Sequence, residues 1–262
     1  AVGMREKVLA IAAATIISFH LILIVPTLIP RADFAKTAPA GEVVRLFNAN
    51  LLYINSNFDA MIAEIEDADA DILVFQEYTS SWDAAFRKSW MVEAYPYRFS
   101  NVLESPFGTA IWSKRPLIDT TIWYTEGVPM VQATIQIDGQ PVRLHNIHPP
   151  PPMADYPRWV QMQYEIKKIA ADEPIPVMMI GDFNMGLHNR FYKNILHQGF
   201  YSLHQELGRE MGVSWPNGTR NVPPVRLDHI FVSPELIGLS ISEGVGAGSD
   251  HKPLIADVAL AD

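Results

Sequence analysis

The chain has 262 residues, of which 48% are hydrophobic and 19% charged, and its formal net charge is −9. That length and composition allow one large domain, or two small ones, around a well-buried core, and exclude disorder, collagen and coiled coil. The absence of cysteine excludes disulfides, zinc–thiolate sites, iron–sulfur clusters and cysteine nucleophiles. No run of Lys and Arg offers the basic stripe on which tight nucleic-acid binding depends. An acidic enzyme can still approach phosphate through a bound metal ion.

The first element is apolar. Val8 to Pro30, VLAIAAATIISFHLILIVPTLIP, carries no formal charge, with Arg5 and Lys7 before it and Arg31 after it. As a helix it would span roughly 35 Å, enough for a bilayer core of ~30 Å. A single membrane anchor over residues 1–31 is the preferred reading. A cleaved signal peptide is the second: the run is long for its hydrophobic region, and the small-residue pattern Ala38-Pro39-Ala40 lies well past its end. A buried helix of a soluble protein is the third, and fits poorly because the run is apolar all round. The flanking charges favour an N-in orientation with the domain outside the cytoplasm. His20 reads as a neutral, tolerated side chain, and residues 32–42 as a linker.

The remainder, 43–262, reads as one catalytic domain. Short apolar runs predict buried strands at Val43–Phe47, Ile72–Phe75, Thr109–Trp112, Val142–Ile147, Val177–Ile180 and Ile230–Val232. Asn57–Asp67 has helical spacing at Phe58, Met61, Ile62 and Ile65, with Ser56 as N-cap. Tyr156–Ala171 is a second helix, with Pro157 near its start, and Asn189–His197 a third. This partial alternation, with several strand-to-strand connections, predicts an α/β or α+β sandwich.

Polar residues gather where these strands end. Asn50 follows the first, Glu77 follows ILVFQ, and His148 follows VRLHNI. Asp182 and Asn184 follow VMMIG, Asp228 and His229 precede IFV, and Asp250-His251 sits in GSDHKPL. A strand ending on an acid aims it from a rigid element into a shared crevice. Carboxylates and amides without thiols suit a hard cation such as Mg²⁺ or Mn²⁺, and histidines beside carboxylates suit acid–base work. Each piece has an ordinary alternative: Asp182-Phe183-Asn184 is also a good turn, and His148 before four prolines also simply ends a strand. Five such coincidences in one chain carry the inference. Two ambiguities stand within it. Asn48 competes with Asn50, and His145 with His148, which is preferred for its place at the strand's end. His229 reads as a neighbour of the site.

The blocks FNANLLY, ILVFQE, FGTAIWSKRPL, LHNIHPPPP, MMIGDFN, RLDHIFVS and GSDHKPL, in this order, resemble the endonuclease/exonuclease/phosphatase superfamily with the DNase I-like fold. The resemblance implies a four-layer α/β/β/α sandwich of two mixed sheets, with one site at their shared edge. It implies that Asn50, Glu77 and Asp250 hold or surround Mg²⁺ or Mn²⁺. It implies that Asp182 aligns or deprotonates the attacking water and Asn184 helps fix the phosphate. Asp228 would orient His251, and His251 and His148 would contact phosphate oxygens and move protons. The PYRFS…FGTAIWSKRPL and HPPPP stretches, with the apolar segment, resemble a membrane-attached bacterial branch related to teicoplanin-resistance proteins. That implies a phosphoester or pyrophosphate substrate at a membrane, lipid-linked ones included, and no obligate protein partner. An anchored or exported nuclease is the second reading. A catalytically dead binding module is the third; its usual mark is a lost acid or histidine, and every matched position here is occupied.

Overall fold

The computed structural model describes residues 2–31, 41–218 and 221–261. It opens on α1 (Val2–Ile24), which runs into a short 3-10 turn, Val25–Leu28. The most apolar 18-residue window of the span Gly3–Leu28 has a mean hydropathy of 2.6, and none of that window is buried. A core helix would have hidden that surface, so the buried-helix reading is excluded. The expected linker falls largely on residues 32–40, outside the described residues. Glu42, at its end, is fastened to the body. Its N–H donates to Asp138 Oδ2 at 2.7 Å, and the Asp138 N–H donates to Glu42 Oε2 at 3.1 Å.

The chain then gives β1 (Val44–Asn50), α2 (Phe58–Ala68), β2 (Ile72–Gln76), α3 (Ser80–Lys88), α4 (Met91–Ala94), β3 (Tyr97–Asn101) and β4 (Thr109–Ser113). Next come β5 (Ile118–Thr125), β6 (Val128–Ile137), β7 (Gln140–Ile147), α5 (Tyr156–Asp172), β8 (Val177–Asp182) and α6 (Arg190–His197). The last elements are β9 (Tyr201–Ser202), α7 (Leu203–Glu206), β10 (Asp228–Val232), β11 (Leu236–Glu243) and β12 (Leu254–Leu260). One six-stranded sheet runs β11-β12-β1-β2-β4-β3 and the other β5-β6-β7-β8-β10-β9. Both are mixed: β1 pairs with β2, and β7 with β8, in parallel, while the remaining pairs are antiparallel.

The period-two alternation of a strand sorts its side chains between two faces. Val44, Leu46, Ile72, Val74 and Ile111 of the first sheet meet Val131, Val142, Leu144, Met178, Ile180 and Ile230 of the second in one core. The outward residues Phe47, Leu73, Phe75 and Trp112 pack under α2 and α3, with Met61, Ile65, Trp82 and Phe86. Val177, Met179 and Phe231 pack under α5 and α6, with Trp159, Met162, Phe191 and Ile195. The result is the expected α/β/β/α sandwich.

Several elements had weak sequence signals. α3 presents only Trp82 and Phe86 to the core, too short a stripe to set a period. β5, at a sheet edge, is exposed or half-buried up to its last residue, with no regular alternation. β6 contains Pro129, which demotes a run to an edge or a non-strand. The expected N-cap of α2 is also corrected: Asn57 occupies that position. Asn55, not Ser56, shapes the turn, because its Oδ1 accepts the Asn57 N–H at 2.9 Å.

Candidate active site

The alternation that builds the inner core also delivers the site. Along β1, Val44 and Leu46 face the other sheet, so Asn48 and Asn50 do too. By the same count Gln76 continues Ile72 and Val74, Asn146 continues Val142 and Leu144, and Asp182 continues Met178 and Ile180. Asp228 precedes Ile230 on that face. The apolar core therefore turns polar at one end of both sheets. The first polar layer is structural: Gln76 Nε2 donates to Asn48 Oδ1 at 2.9 Å and to Asn146 Oδ1 at 2.7 Å. Asn146 Nδ2 donates to the carbonyls of Phe75 and Ala110. This bolts the two sheets together and assigns Asn48 to the bolt.

The second layer is the site. Asn50 Nδ2 donates to Glu77 Oε1 at 3.0 Å and to Asp182 Oδ2 at 3.2 Å. Asp182 Oδ2 also lies 3.7 Å from His148 Nε2 and 3.5 Å from His251 Nε2. Asp228 stands opposite Asp182 in the antiparallel β8–β10 register, and its Oδ2 accepts the His251 Nδ1–H at 2.7 Å. Ser249 Oγ donates to the Asn50 carbonyl at 2.7 Å and accepts the His251 N–H at 3.1 Å. That closes the Gly248–His251 loop onto β1.

Local backbone explains the sequence at three positions here. Gly181 has φ +150°, and a Cβ there would sit 2.0 Å from the Ile147 carbonyl oxygen, so only glycine lets β7 and β8 come this close. Glu77 has φ +57°, a left-handed conformation that costs about 1–2 kcal/mol outside glycine. In return its carboxylate turns back to Asn50 and accepts the Tyr53 N–H on Oε2 at 2.9 Å. Strain of this kind gathers at functional sites. Asn184, also left-handed at φ +49°, is a residue type that tolerates it. Its N–H donates to Asp182 Oδ1 at 2.8 Å and its Nδ2 to the Pro149 carbonyl at 2.9 Å. The ordinary turn reading of Asp182-Phe183-Asn184 is thus true as well: Oδ1 makes the turn and Oδ2 faces the histidines.

The histidines divide by face. His148 and His251 border a cavity of about 590 Å³, together with Glu77, Asp182, Asn184 and Asp250. Among its described lining residues there is no Lys or Arg. Burial works against charge on His251, but the Asp228 and Asp182 carboxylates outweigh it and lift its pKa to about 10. His229, next to Asp228, points to the other face. There it hydrogen-bonds the Met185 carbonyl at 2.7 Å, and burial holds its pKa well below the usual value. His145 likewise lies on the outer face beside Glu173, with its pKa lowered by burial.

A hard cation fits this donor set. Asn50, Glu77 and Asp250 offer only oxygen and amide groups, and Glu77 and Asp250 line the same cavity. Asp182, Asp228 and His251 also bring candidate ligand atoms within 4.8 Å of one another. There, however, the short His251–Asp228 hydrogen bond already joins two of the three. Sequence reasoning missed the supports of this layer. Trp215 Nε1 donates to Asp250 Oδ2 at 3.1 Å, and Ser214 Oγ accepts the N–H groups of Leu227 and Asp228. The apolar wall of Phe107, Pro150–Pro152, Met153 and Trp215 was signalled only by the proline run.

The sequence profile described as "Endonuclease/Exonuclease/phosphatase family" matches residues 46–251. The chain belongs to the endonuclease/exonuclease/phosphatase family. Its chemistry is therefore phosphoester hydrolysis. A sequence search of curated proteins returns no match. Among solved structures the fold is similar to that of D. rerio TDP2 complexed with a single-strand DNA product, at TM-score 0.71 and 16% identity, over 83% of this chain and 99% of that one. A family protein from Leptotrichia buccalis gives TM-score 0.65 and 18% identity over 84% and 100%. A further one, from Beutenbergia cavernae, gives 0.63 and 15% over 84% and 72%. At these identities the likeness concerns the fold.

Proposed function

We propose that residues 43–262 form a divalent-metal-dependent phosphoesterase domain, that residues 1–31 anchor it in a membrane, and that its substrate is membrane-associated. The observation that carries the catalytic reading is the convergence on Asp182 Oδ2 of Asn50 Nδ2, His148 Nε2 and His251 Nε2. It lies in a cavity lined by carboxylates and lacking Lys or Arg among its described residues. Such a mouth repels a phosphate until a cation offsets the acids.

Asn50, Glu77 and Asp250 would hold Mg²⁺ or Mn²⁺. When bound, the ion supplies neutralisation of the phosphate oxygens and acidification of water. Asp182, held by Asn50 and its own turn, aligns the attacking water and accepts its proton. Asn184 donates toward the phosphate. His251, kept protonated by Asp228, and His148, whose Nε2 also lies near Asp182 Oδ2, contact phosphate oxygens, and His251 passes its proton to the leaving group. Metal-dependent hydrolysis of bis(4-nitrophenyl) phosphate tests this reading. EDTA should abolish turnover and Mg²⁺ or Mn²⁺ restore it, whereas turnover that survives both EDTA and Asp182→Ala would refute the assignment.

The membrane part rests on the Val8–Ile24 stretch of α1, which carries no formal charge and is exposed along its length. An anchor holds enzyme and substrate in one plane and raises effective concentration. Arg5 and Lys7 before the span favour a domain outside the cytoplasm; impermeant labelling of an introduced cysteine in whole cells reads that orientation. A nuclease is the second reading, favoured by the single-strand DNA product in the D. rerio TDP2 structure. Plasmid nicking without turnover of any lipid phosphate would put it first.

A further inference from the structure

A second cavity, of about 490 Å³, adjoins the catalytic one. Val225 lines both, and Asn184 of the first is two residues from Gly186 of the second. The walls of the second are largely apolar, with Leu187, Met211, Val213, Pro224 and Val225. No catalytic role accounts for it.

Its far side meets the membrane segment. The Glu210 N–H donates to the Thr27 carbonyl at 3.4 Å, and the Arg31 N–H donates to the Glu206 carbonyl at 2.9 Å. Arg31 Nη1 pairs with Glu206 Oε1 at 3.1 Å. Gly208 has φ +66°, and a Cβ there would lie 2.7–2.8 Å from backbone atoms of Leu28, Ile29 and Pro30. The sequence therefore keeps a glycine where the end of α1 presses on the body. Glu210 and Met211, two and three residues on, are walls of the second cavity, and Met211 is 60% exposed. Glu210 thus links the end of the apolar segment to this cavity, and Val225 links this cavity to the one that Asp182 lines.

We propose that the second cavity holds the aliphatic chain of a phosphoester substrate whose phosphate sits in the catalytic cavity; this rests on the phosphoesterase reading above. Charge selects the occupant. The described walls carry Glu210 and an exposed imidazole, His188, and their one guanidinium, Arg226, is 1% exposed, with Nη1 donating at 3.0 Å to the Glu210 carbonyl. A polynucleotide leaving the catalytic cavity this way would bring further phosphates against Glu210, with no exposed Lys or Arg among the described walls to receive them. A hydrocarbon chain loses nothing there and gains burial. Met153, 98% exposed at the catalytic rim, extends the apolar border on the other side.

The experiment compares two diesters with the same leaving group, ethyl and dodecyl 4-nitrophenyl phosphate, below their aggregation concentrations, on the full chain in nanodiscs. Gly186 lines the second cavity, has no positive φ, and has open space where a Cβ would point, so Gly186→Phe adds bulk at the cavity wall without a clash at its root. We expect the dodecyl ester to be preferred by about tenfold or more in kcat/KM, and Gly186→Phe to erase that preference while leaving the ethyl ester within about twofold. Val213→Trp should do the same. Equal kcat/KM for the two esters, or equal losses in both variants, would overturn the proposal. A dodecyl phosphate tipped with a diazirine reads the site without turnover. Adducts are expected on Leu187, Met211, Val213 or Val225; adducts confined to α1, or displaced by single-stranded DNA, would overturn it. Should neither ester be hydrolysed, the phosphoesterase reading fails, and the adduct map alone decides the cavity.

Discussion

His251 and Asp228 form a buried hydrogen-bonded pair, Nδ1 to Oδ2 at 2.7 Å, that fixes the imidazole so that its Nε2 stands 3.5 Å from Asp182 Oδ2. Two separate stretches of chain make this pair. Asp228 is set by its strand register opposite Asp182, and His251 by the Ser249 hydroxyl that ties its loop to Asn50.

Asp228→Asn keeps the size of the side chain and removes the charge that holds the proton on His251. The expected outcome is a fall in kcat of roughly 10²–10⁴-fold with KM little changed. Steady-state kinetics on bis(4-nitrophenyl) phosphate checks it, with thermal unfolding to show that the fold persists. A parallel rise in KM with kcat intact would mean that the pair only binds substrate.

The inner layer and its rim are largely legible in the order of residues alone. Apolar runs at Ile72–Phe75, Val142–Ile147 and Val177–Ile180 mark strands buried on both faces, which suits a sandwich. Period two alone places Gln76, Asn146 and Asp182 on the inner face. What stays hidden is encoded in single side chains. The choice of Asn50 over Asn48 depends on the Gln76 bridge between the sheets, a contact between residues 28 and 70 positions apart. Trp215 supports Asp250 from a loop with no periodicity. The docking of Thr27–Arg31 on Glu206–Glu210 has only Gly208 as its sign, and a glycine in a loop has many ordinary explanations.

Glu77 gives a direct test of the cation. Its carboxylate accepts hydrogen bonds from Asn50 Nδ2 and the Tyr53 N–H, and Gln at this position keeps the shape but loses the charge. Glu77→Gln is expected to raise the Mg²⁺ concentration for half-maximal activity by about tenfold or more, with partial recovery at high Mg²⁺. Titration of activity against free Mg²⁺ measures it. Unchanged metal dependence would remove Glu77 from the metal set.

Gly208 tests the docking of the apolar N-terminal segment. Any side chain there meets backbone of residues 28–30 and a left-handed φ, so Gly208→Val should cost roughly 2–4 kcal/mol in local stability. Hydrogen exchange should show faster exchange at the Arg31 amide, which donates to Glu206, with β1 and β8 unaffected. Protection unchanged at Arg31 would mean that the contact contributes little.

The acid sensitivity of the fold should have one identifiable source near that junction. His204, on α7, is fully buried, and its Nε2 lies 3.1 Å from Glu243 Oε1. Burial lowers its pKa from 6.5 to about 4, against the pull of Glu243. The carboxyl of Glu243 is also held below its usual value; burial raises it, but His204 and Arg226 outweigh that. A histidine whose folded pKa is depressed stabilises the fold fully above its unfolded pKa and loses that contribution as pH falls through the folded value. The window is therefore from about pH 6.5 down to about pH 4, and the contribution of His204 is about 3 kcal/mol. Glu243 acts with the same sign at the lower end. His204→Gln keeps an amide donor for Glu243 and cannot take up the proton. Between pH 7 and pH 4.5 the native protein should lose roughly 5–10 °C more in thermal midpoint than the variant. Equal acid losses in the two would place the sensitivity elsewhere in the chain.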